Sequence, residues 1–314
     1  MNLNPQKTAF LFPGQGSQAL GMGFELARKY SVARKILEEA DQILGFSLSR
    51  IMWEKGDELN DTANTQPALF VHSIAVWRVF SEIAPDFEPD SLSGHSLGEL
   101  SALVVAKSLS FEDGLRLVRR RGELMRDAGE IAPGGMAAIL GLDIPALEKI
   151  CNKASLGDEA VQVANDNCPG QVVISGAKPA LERALELAKA AGARRAIPLA
   201  VSIAPHSLLM SAIQAEFDEA LGDVDIREAA LPVVGNVGAK PLFTVDEIRT
   251  DLRAQLTSRV RWTESIQYMI SQGVMTFIEL GSRNVLTGLL RRIDRNAKGF
   301  SLGEAEDFEN FFLR

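Results

Sequence analysis

A chain of 314 residues is long enough for one large core or for a core with an inserted subdomain, and 46% apolar with 24% charged residues matches an ordinary globular protein. The net charge of −8 argues against a nucleic-acid binder, which needs a basic footprint to displace counterions from phosphate. Two cysteines, Cys151 and Cys168, are too few for a disulfide framework or a four-ligand zinc site, and they read as small core residues with free thiols in a reducing compartment.

No apolar run approaches the roughly 20 residues that span a bilayer. The first residues, Met1 to Lys7, lack the apolar stretch of a signal peptide. The expectation is a cytoplasmic protein with no membrane segment.

Thr8-Ala9-Phe10-Leu11-Phe12 is an apolar run stopped by Pro13-Gly14, a buried strand running into a loop. The loop, Gly14-Gln15-Gly16-Ser17-Gln18, has neither the Gly-Lys-Ser/Thr of a Walker loop nor the Gly-x-Gly-x-x-Gly of a dinucleotide site. What remains is a tight turn able to aim backbone N–H groups at something. Helical patterns follow over 24–44 and, after the Thr65-Gln66-Pro67 break, over 68–80, with the proline suited to a first helical turn.

Ser91-Leu92-Ser93 is short and polar for a central strand, but it leads into Gly94-His95-Ser96-Leu97-Gly98-Glu99. This Gly-x-Ser-x-Gly reads as a nucleophile elbow, in which the serine sits on a strained strand-to-helix turn and the glycines make room where strand and helix crowd together. Residues 97–106 have helical composition, which places Ser96 at a helix N-terminus whose free N–H groups favour negative charge. The same pentapeptide also occurs in turns with no chemistry.

Over 111–128 a helix carries Phe111, Leu115, Val118, Gly122 and Met125 on one stripe. Arg121 falls about 60° from Val118, whereas Arg119 and Arg120 project about 100° and about 200° away. Of the three arginines, Arg121 is drawn toward the interior.

From Pro133-Gly134-Gly135 the pattern becomes strand 136–140, helix 145–154, strands 161–164 and 171–175, helix 180–191 and strand 195–199. That β-α-β-β-α-β order is the ferredoxin-like one. The expected organisation is a core of 1–129 and 201–314 with an inserted subdomain at 130–200. The core resumes with a helix over 206–221, strand 231–237, helices 245–256 and 263–271, strand 276–280 and helix 285–293, and the acidic end near Glu304 to Asp307 reads as solvated. Strands alternating with helices imply a mostly parallel α/β sheet covered on both faces.

A serine nucleophile at neutral pH needs a base, and the chain has three histidines. His72 lies in an apolar helical run and reads as structural. His95 is adjacent to Ser96 on a turn, where neighbours point apart. His206, in a loop after Ile203-Ala204-Pro205, is either the base or a capping or surface histidine.

Phe12-Pro13-Gly14-Gln15-Gly16-Ser17-Gln18, Thr65-Gln66-Pro67-Ala68-Leu69, Gly94-His95-Ser96-Leu97-Gly98-Glu99, Arg121-Gly122 and Pro205-His206-Ser207 together resemble the ordered motifs of malonyl-CoA:acyl-carrier-protein transacylases. These are type II fatty-acid synthase enzymes related to polyketide synthase acyltransferase domains. The resemblance implies an α/β-hydrolase-like core with a ferredoxin-like insertion. It implies Ser96 as a nucleophile forming a malonyl ester, His206 as general base and acid, and the N–H groups of Gln15 and Leu97 as an oxyanion hole. Arg121 would bind the free malonyl carboxylate, and the main-chain carbonyl of Gln255 would orient the histidine. Gln66 and Asn167 correspond to pocket positions. The implied reaction is ping-pong, with malonyl-CoA as donor, acyl carrier protein as acceptor and partner, and no metal or other cofactor.

Two stretches depart from the family pattern. Ala204-Pro205 before His206 bears on how the acyl pocket is lined, and Gly281-Ser282-Arg283-Asn284 reads as a turn difference far from the chemistry. An acidic carrier protein would need a local positive surface on this acidic chain, for which Lys189, Arg194, Arg195, Arg291 and Arg292 are candidates. An acyl-thioester hydrolase, a polyketide trans-acyltransferase and a silent docking module are the competing readings, and a monomer is expected.

Overall fold

Among residues 4–312, which the computed structural model describes, ten strands form two sheets. The strands are β1 (Thr8–Phe12), β2 (Ser91–Gly94), β3 (Gly134–Leu140), β4 (Val161–Cys168), β5 (Gln171–Ala177), β6 (Arg195–Pro198), β7 (Val233–Val234), β8 (Pro241–Leu242), β9 (Thr276–Leu280) and β10 (Lys298–Leu302). The first sheet runs β10-β9-β1-β2-β7-β8 and is parallel apart from its last pair. The second runs β4-β5-β3-β6 and is antiparallel throughout.

The helices are α1 (Phe24–Lys29), α2 (Ser31–Leu44), α3 (Leu48–Glu54), α4 (Gly56–Leu59), α5 (Thr62–Ile83), α6 (Gly98–Val105), α7 (Phe111–Ile131), α8 (Ile144–Ala154), α9 (Lys178–Ala190), α10 (Gln214–Gly222), α11 (Val245–Gln255), α12 (Trp262–Ser271), α13 (Val285–Ile293) and α14 (Ala305–Phe312). The mixed α/β fold with a mostly parallel sheet is the one the sequence predicts. The few residues of the expected core at 1–3 and 313–314 lie outside the described residues.

β1 is buried along its whole length, as an apolar run without alternation requires when helices cover both faces. β2 sits beside it at the centre although two of its four residues are serines. Its backbone pairs on both sides, and the Ser93 hydroxyl donates to the Val234 carbonyl at 2.9 Å, so no polar group of Ser93 is stranded.

Several expectations are corrected by packing. The predicted helix 24–44 is broken at Tyr30, whose extended backbone separates α1 from α2. The helix predicted over 68–80 begins six residues earlier, at Thr62 behind the Asp61 cap, and Pro67 lies inside it instead of in its first turn. Proline cannot donate to the carbonyl four residues back. That carbonyl, of Ala63, accepts from the Arg119 guanidinium at 2.8 Å instead, which removes the penalty that made Pro67 look like a boundary.

The helix expected over 206–221 is a turn at His206, a 3-10 segment at Leu208–Ile213 and then α10. The strand expected over 231–237 shrinks to β7. The acidic C-terminal stretch is not merely solvated: it is α14, with Phe308 and Phe311 buried and Asp307 accepting from the backbone N–H groups of Gly303 and Glu304.

Segment 134–198 has its own apolar cluster, in which Ala137, Ile139 and Ile174 meet Leu147, Leu181 and Ala184 of α8 and α9. The alternate residues, Met136, Ala138 and Val173, point the other way, into a cavity shared with the first sheet. β4 is tied to that half by two backbone bonds, Asp166 N–H to the Val260 carbonyl at 2.9 Å and Val260 N–H to the Ala164 carbonyl at 2.8 Å.

Candidate active site

Two loops leave the carboxyl ends of the adjacent parallel strands β1 and β2, the usual place for ligands in an open α/β sheet. After β2 the chain turns so sharply that Ser96 has φ 53°. A Cβ on Gly94 would lie 1.9 Å from the Gly98 carbonyl carbon, and one on Gly98 would lie 2.0 Å from the Phe12 carbonyl oxygen, so both glycines are sterically required. The backbone strain is held by a specific contact: Ser96 N–H donates to Asn236 Oδ1 at 2.7 Å.

His206 also has positive φ, 58°, and points its ring at the elbow. Its Nδ1 lies 2.8 Å from the Gln255 carbonyl oxygen, which only an Nδ1–H can satisfy. Nε2 therefore carries the lone pair, 2.7 Å from Ser96 Oγ. Burial and then the positive charge of Arg121 lower the His206 pKa to about 3, which keeps the imidazole neutral and able to accept a proton at neutral pH.

Arg121 is 2% exposed on the inward stripe of α7. Its guanidinium donates to Gln66 Oε1 at 2.5 Å, to Gln255 Oε1 at 2.8 Å and to Ser96 Oγ at 3.2 Å. All three acceptors are neutral, and among the described residues no carboxylate forms a salt bridge with it. Burial lowers its pKa to about 10, so it remains a cation. Gln66 donates in turn to Thr62 Oγ1 at 2.9 Å, and Thr62 donates to Gln15 Oε1 at 2.9 Å, so one chain of side chains runs from the arginine to the loop after β1.

The model of the acyl transferase domain family matches residues 9–302. This chain belongs to that family. It is 47% identical over 306 residues, 96% of this chain and 95% of the relative, to malonyl CoA-acyl carrier protein transacylase of Bacillus subtilis. It is 43% identical to that of Haemophilus influenzae, over 96% and 97% of the two chains. Among solved structures, malonyl CoA-acyl carrier protein transacylase from Coxiella burnetii superposes with a TM-score of 0.95 at 37% identity, over 99% of this chain and 98% of the other. A malonyl-transacylase in complex with its type II PKS acyl-carrier protein superposes with a TM-score of 0.93 at 40% identity, over 97% and 98%.

In this acyl transferase Ser96, His206 and Arg121 open onto one cavity of about 440 Å³ that Gln15, Leu97 and Asn167 also line. Among the described residues, the N–H groups of Gln15 and Leu97 have no acceptor within the chain. Asn167 does not reach the nucleophile; its Oδ1 lies 2.8 Å from His95 Nε2, so the second histidine near Ser96 is occupied elsewhere. The turn 281–284 is closer to the site than the sequence suggests, because Val285, Leu286 and Leu289 of the helix it starts line the same cavity. A Cβ on Gly281 would press against Pro13 of the β1 loop at 2.6 Å.

Three functional positions escaped the sequence reading. Asn236 holds the elbow, Glu99 sits directly behind it, and Gln162 of β4 donates to the backbone carbonyls of His206 at 3.2 Å and Thr257 at 3.0 Å while accepting from Leu208 N–H at 3.1 Å. Gly235-Asn236-Val237-Gly238 after a strand was the one signal available for Asn236. Gln162 has none, since its partners lie far along the chain.

Proposed function

We propose that this protein moves a malonyl group from malonyl-CoA to the phosphopantetheine thiol of acyl carrier protein through a malonyl ester on Ser96. One observation carries the reading: a buried arginine beside the nucleophile is held by neutral groups alone. A buried cation that hydrogen-bonds to no carboxylate is costly, and a malonyl carboxylate supplies the missing partner in a bidentate pair. A hydrolase of neutral thioesters leaves that arginine unexplained.

The steps follow from the geometry. Ser96 Oγ attacks the thioester carbonyl as His206 Nε2 takes its proton, and the N–H groups of Gln15 and Leu97 stabilise the oxyanion. The imidazolium, held by the Gln255 carbonyl, gives the proton to the departing CoA sulfur. The carrier thiol then gives its own proton to His206 and attacks the ester, returning Ser96. An anionic acyl tail on Arg121 also offsets the charge that depresses His206, so the base strengthens when the correct donor is bound.

In the same reading 130–200 is an inserted subdomain that walls the acyl pocket, and the protein is a cytoplasmic monomer needing no metal or other cofactor. Arg292, which bonds Gln171 at the cavity rim, and the exposed Arg291, Arg194 and Arg195 suit an acidic carrier, while Lys189 is paired with Glu186. The test is intact mass after malonyl-CoA treatment. A gain of one malonyl group that disappears in Ser96→Ala is expected, and a wild-type protein that hydrolyses the donor without an adduct or transfer overturns the reading.

A further inference from the structure

Glu99 is fully buried in the first turn of α6, directly behind the elbow. The amides around it have no freedom. Ser96 N–H must donate, so Asn236 presents Oδ1 to it at 2.7 Å and turns its NH2 toward the Gly94 carbonyl, at 2.8 Å, and Glu99 Oε2. Arg121 must donate, so Gln255 presents Oε1 to it at 2.8 Å and turns its NH2 toward the Ser96 carbonyl, at 3.2 Å, and Glu99 Oε2, at 3.1 Å. The Asn236 backbone N–H adds a third donor at 3.0 Å. One oxygen of Glu99 thus accepts from three N–H groups, while its other oxygen, Oε1, has no donor at all.

The carboxyl side chain that Glu99 meets is that of Asp251, from α11, whose own oxygens take weak donations from the Val237 and Gly238 backbones at 3.5 and 3.4 Å. Two ionised carboxylates cannot share a buried site, and a bare anionic oxygen without a donor is the costlier arrangement. Burial, and next the Asp251 charge, push the Glu99 carboxyl well above the usual range.

We propose that Glu99 is a neutral carboxylic acid, donating its proton from Oε1 to Asp251, and that it serves as a positioning residue which locks the Asn236 and Gln255 amides in the orientations that hold the elbow and aim Arg121. Neutrality matters as much as the bonds. An ionised Glu99 would compete with the substrate carboxylate for the charge of Arg121, whereas a neutral one leaves that cation available. The inference rests on the roles assigned above to Ser96 and Arg121.

Glu99→Gln reproduces the neutral acid, with a carbonyl toward the three donors and an NH2 toward Asp251. It is expected to keep kcat and KM for malonyl-CoA within about 3-fold of wild type. Glu99→Leu, similar in size and unable to hold either amide, should lower kcat for malonyl and acetyl donors by roughly 10- to 100-fold and raise KM for malonyl-CoA alone. Glu99→Gln falling to the level of Glu99→Leu would show that an anion is needed, and wild-type kinetics in Glu99→Leu would show that nothing is positioned; either result overturns the proposal. An infrared difference spectrum of wild type against Glu99→Gln at neutral pH should show the C=O stretch of a protonated carboxyl, and its absence also overturns it. That measurement reads the proton without turnover, so it is decisive even where Glu99→Leu fails to fold, and its failure is distinct from failure of the transferase reading.

Discussion

The two sheets of this protein obey local rules to different degrees. In β3 and β5 of the antiparallel sheet alternate residues face helices and cavity in turn, α8 has an Asp143 cap with proline in its first turn, and every residue with positive φ between 134 and 198 is a glycine. The half built on the parallel sheet holds the exceptions: Ser96, Lys107, His206, Ala239 and Arg283 at positive φ, Pro67 inside a helix, and the buried groups Arg121, Glu99 and Asp251. Each strained residue costs on the order of 1–3 kcal/mol and persists only where its surroundings over-determine it. Chemistry requires polar groups converging from different elements, and walls require only shape. Of these departures, Ser96, His206 and Arg121 meet at the reacting atoms and Glu99 lies directly behind them.

Removing the base is the most damaging change to the half built on the parallel sheet. His206→Ala should lower the rate of Ser96 acylation by roughly 10³- to 10⁴-fold with the fold intact by circular dichroism, since nothing else is placed to take the proton. Arg121→Ala is next: kcat/KM for malonyl-CoA should fall by roughly 10²-fold and that for acetyl-CoA by much less, because both donors lose the arginine's hydrogen bonds to Ser96 and Gln255 but only malonyl loses the partner of its anionic tail. Unchanged malonyl kinetics would remove the argument for the substrate. A smaller effect sharpens the boundary between the halves. Gln162 reaches from β4 to the strained turn at His206, and Gln162→Leu should lower kcat by roughly 10-fold with KM unchanged, in contrast to substitutions elsewhere in the antiparallel sheet.

The smallest effect is on pH dependence. His206 must be neutral to act, and its pKa is lowered, so between the ordinary imidazole value of about 6.5 and its own value of about 3 the site stays unprotonated where a free histidine would not. The acid limb of kcat/KM is therefore expected below the imidazole range. With malonyl bound, Arg121 is offset and His206 rises, so the limb of kcat should lie at higher pH than that of kcat/KM. Coincident limbs would contradict the electrostatic coupling of the two residues.

Much of the framework was legible because its signals are local. β1, β9 and α13 are apolar runs or stripes bounded by glycine, proline or charge, and the sequence places them within their observed limits. The elbow was legible because its glycines are demanded within a few residues of Ser96. Errors arose where a distant group changed the local balance. Pro67 reads as a boundary until Arg119 satisfies the carbonyl it orphans. Ser93 reads as a poor strand residue until strands pair with it on both sides and the Val234 carbonyl takes its hydroxyl. The acidic tail reads as solvated until Phe308 and Phe311 find a core.

From its residues alone this chain specifies an α/β sheet, a serine at a tight bend and an arginine turned inward, because periodicity and steric demand act over a few positions. Which neighbours that serine and arginine meet was settled only by folding. The Gln255 carbonyl on His206, the three neutral acceptors around Arg121 and the Glu99–Asp251 pair all join elements far apart in the chain. Spacing carries no information about such contacts, and the protonation states that make the site work follow from burial, which exists only once the sheets have closed around it.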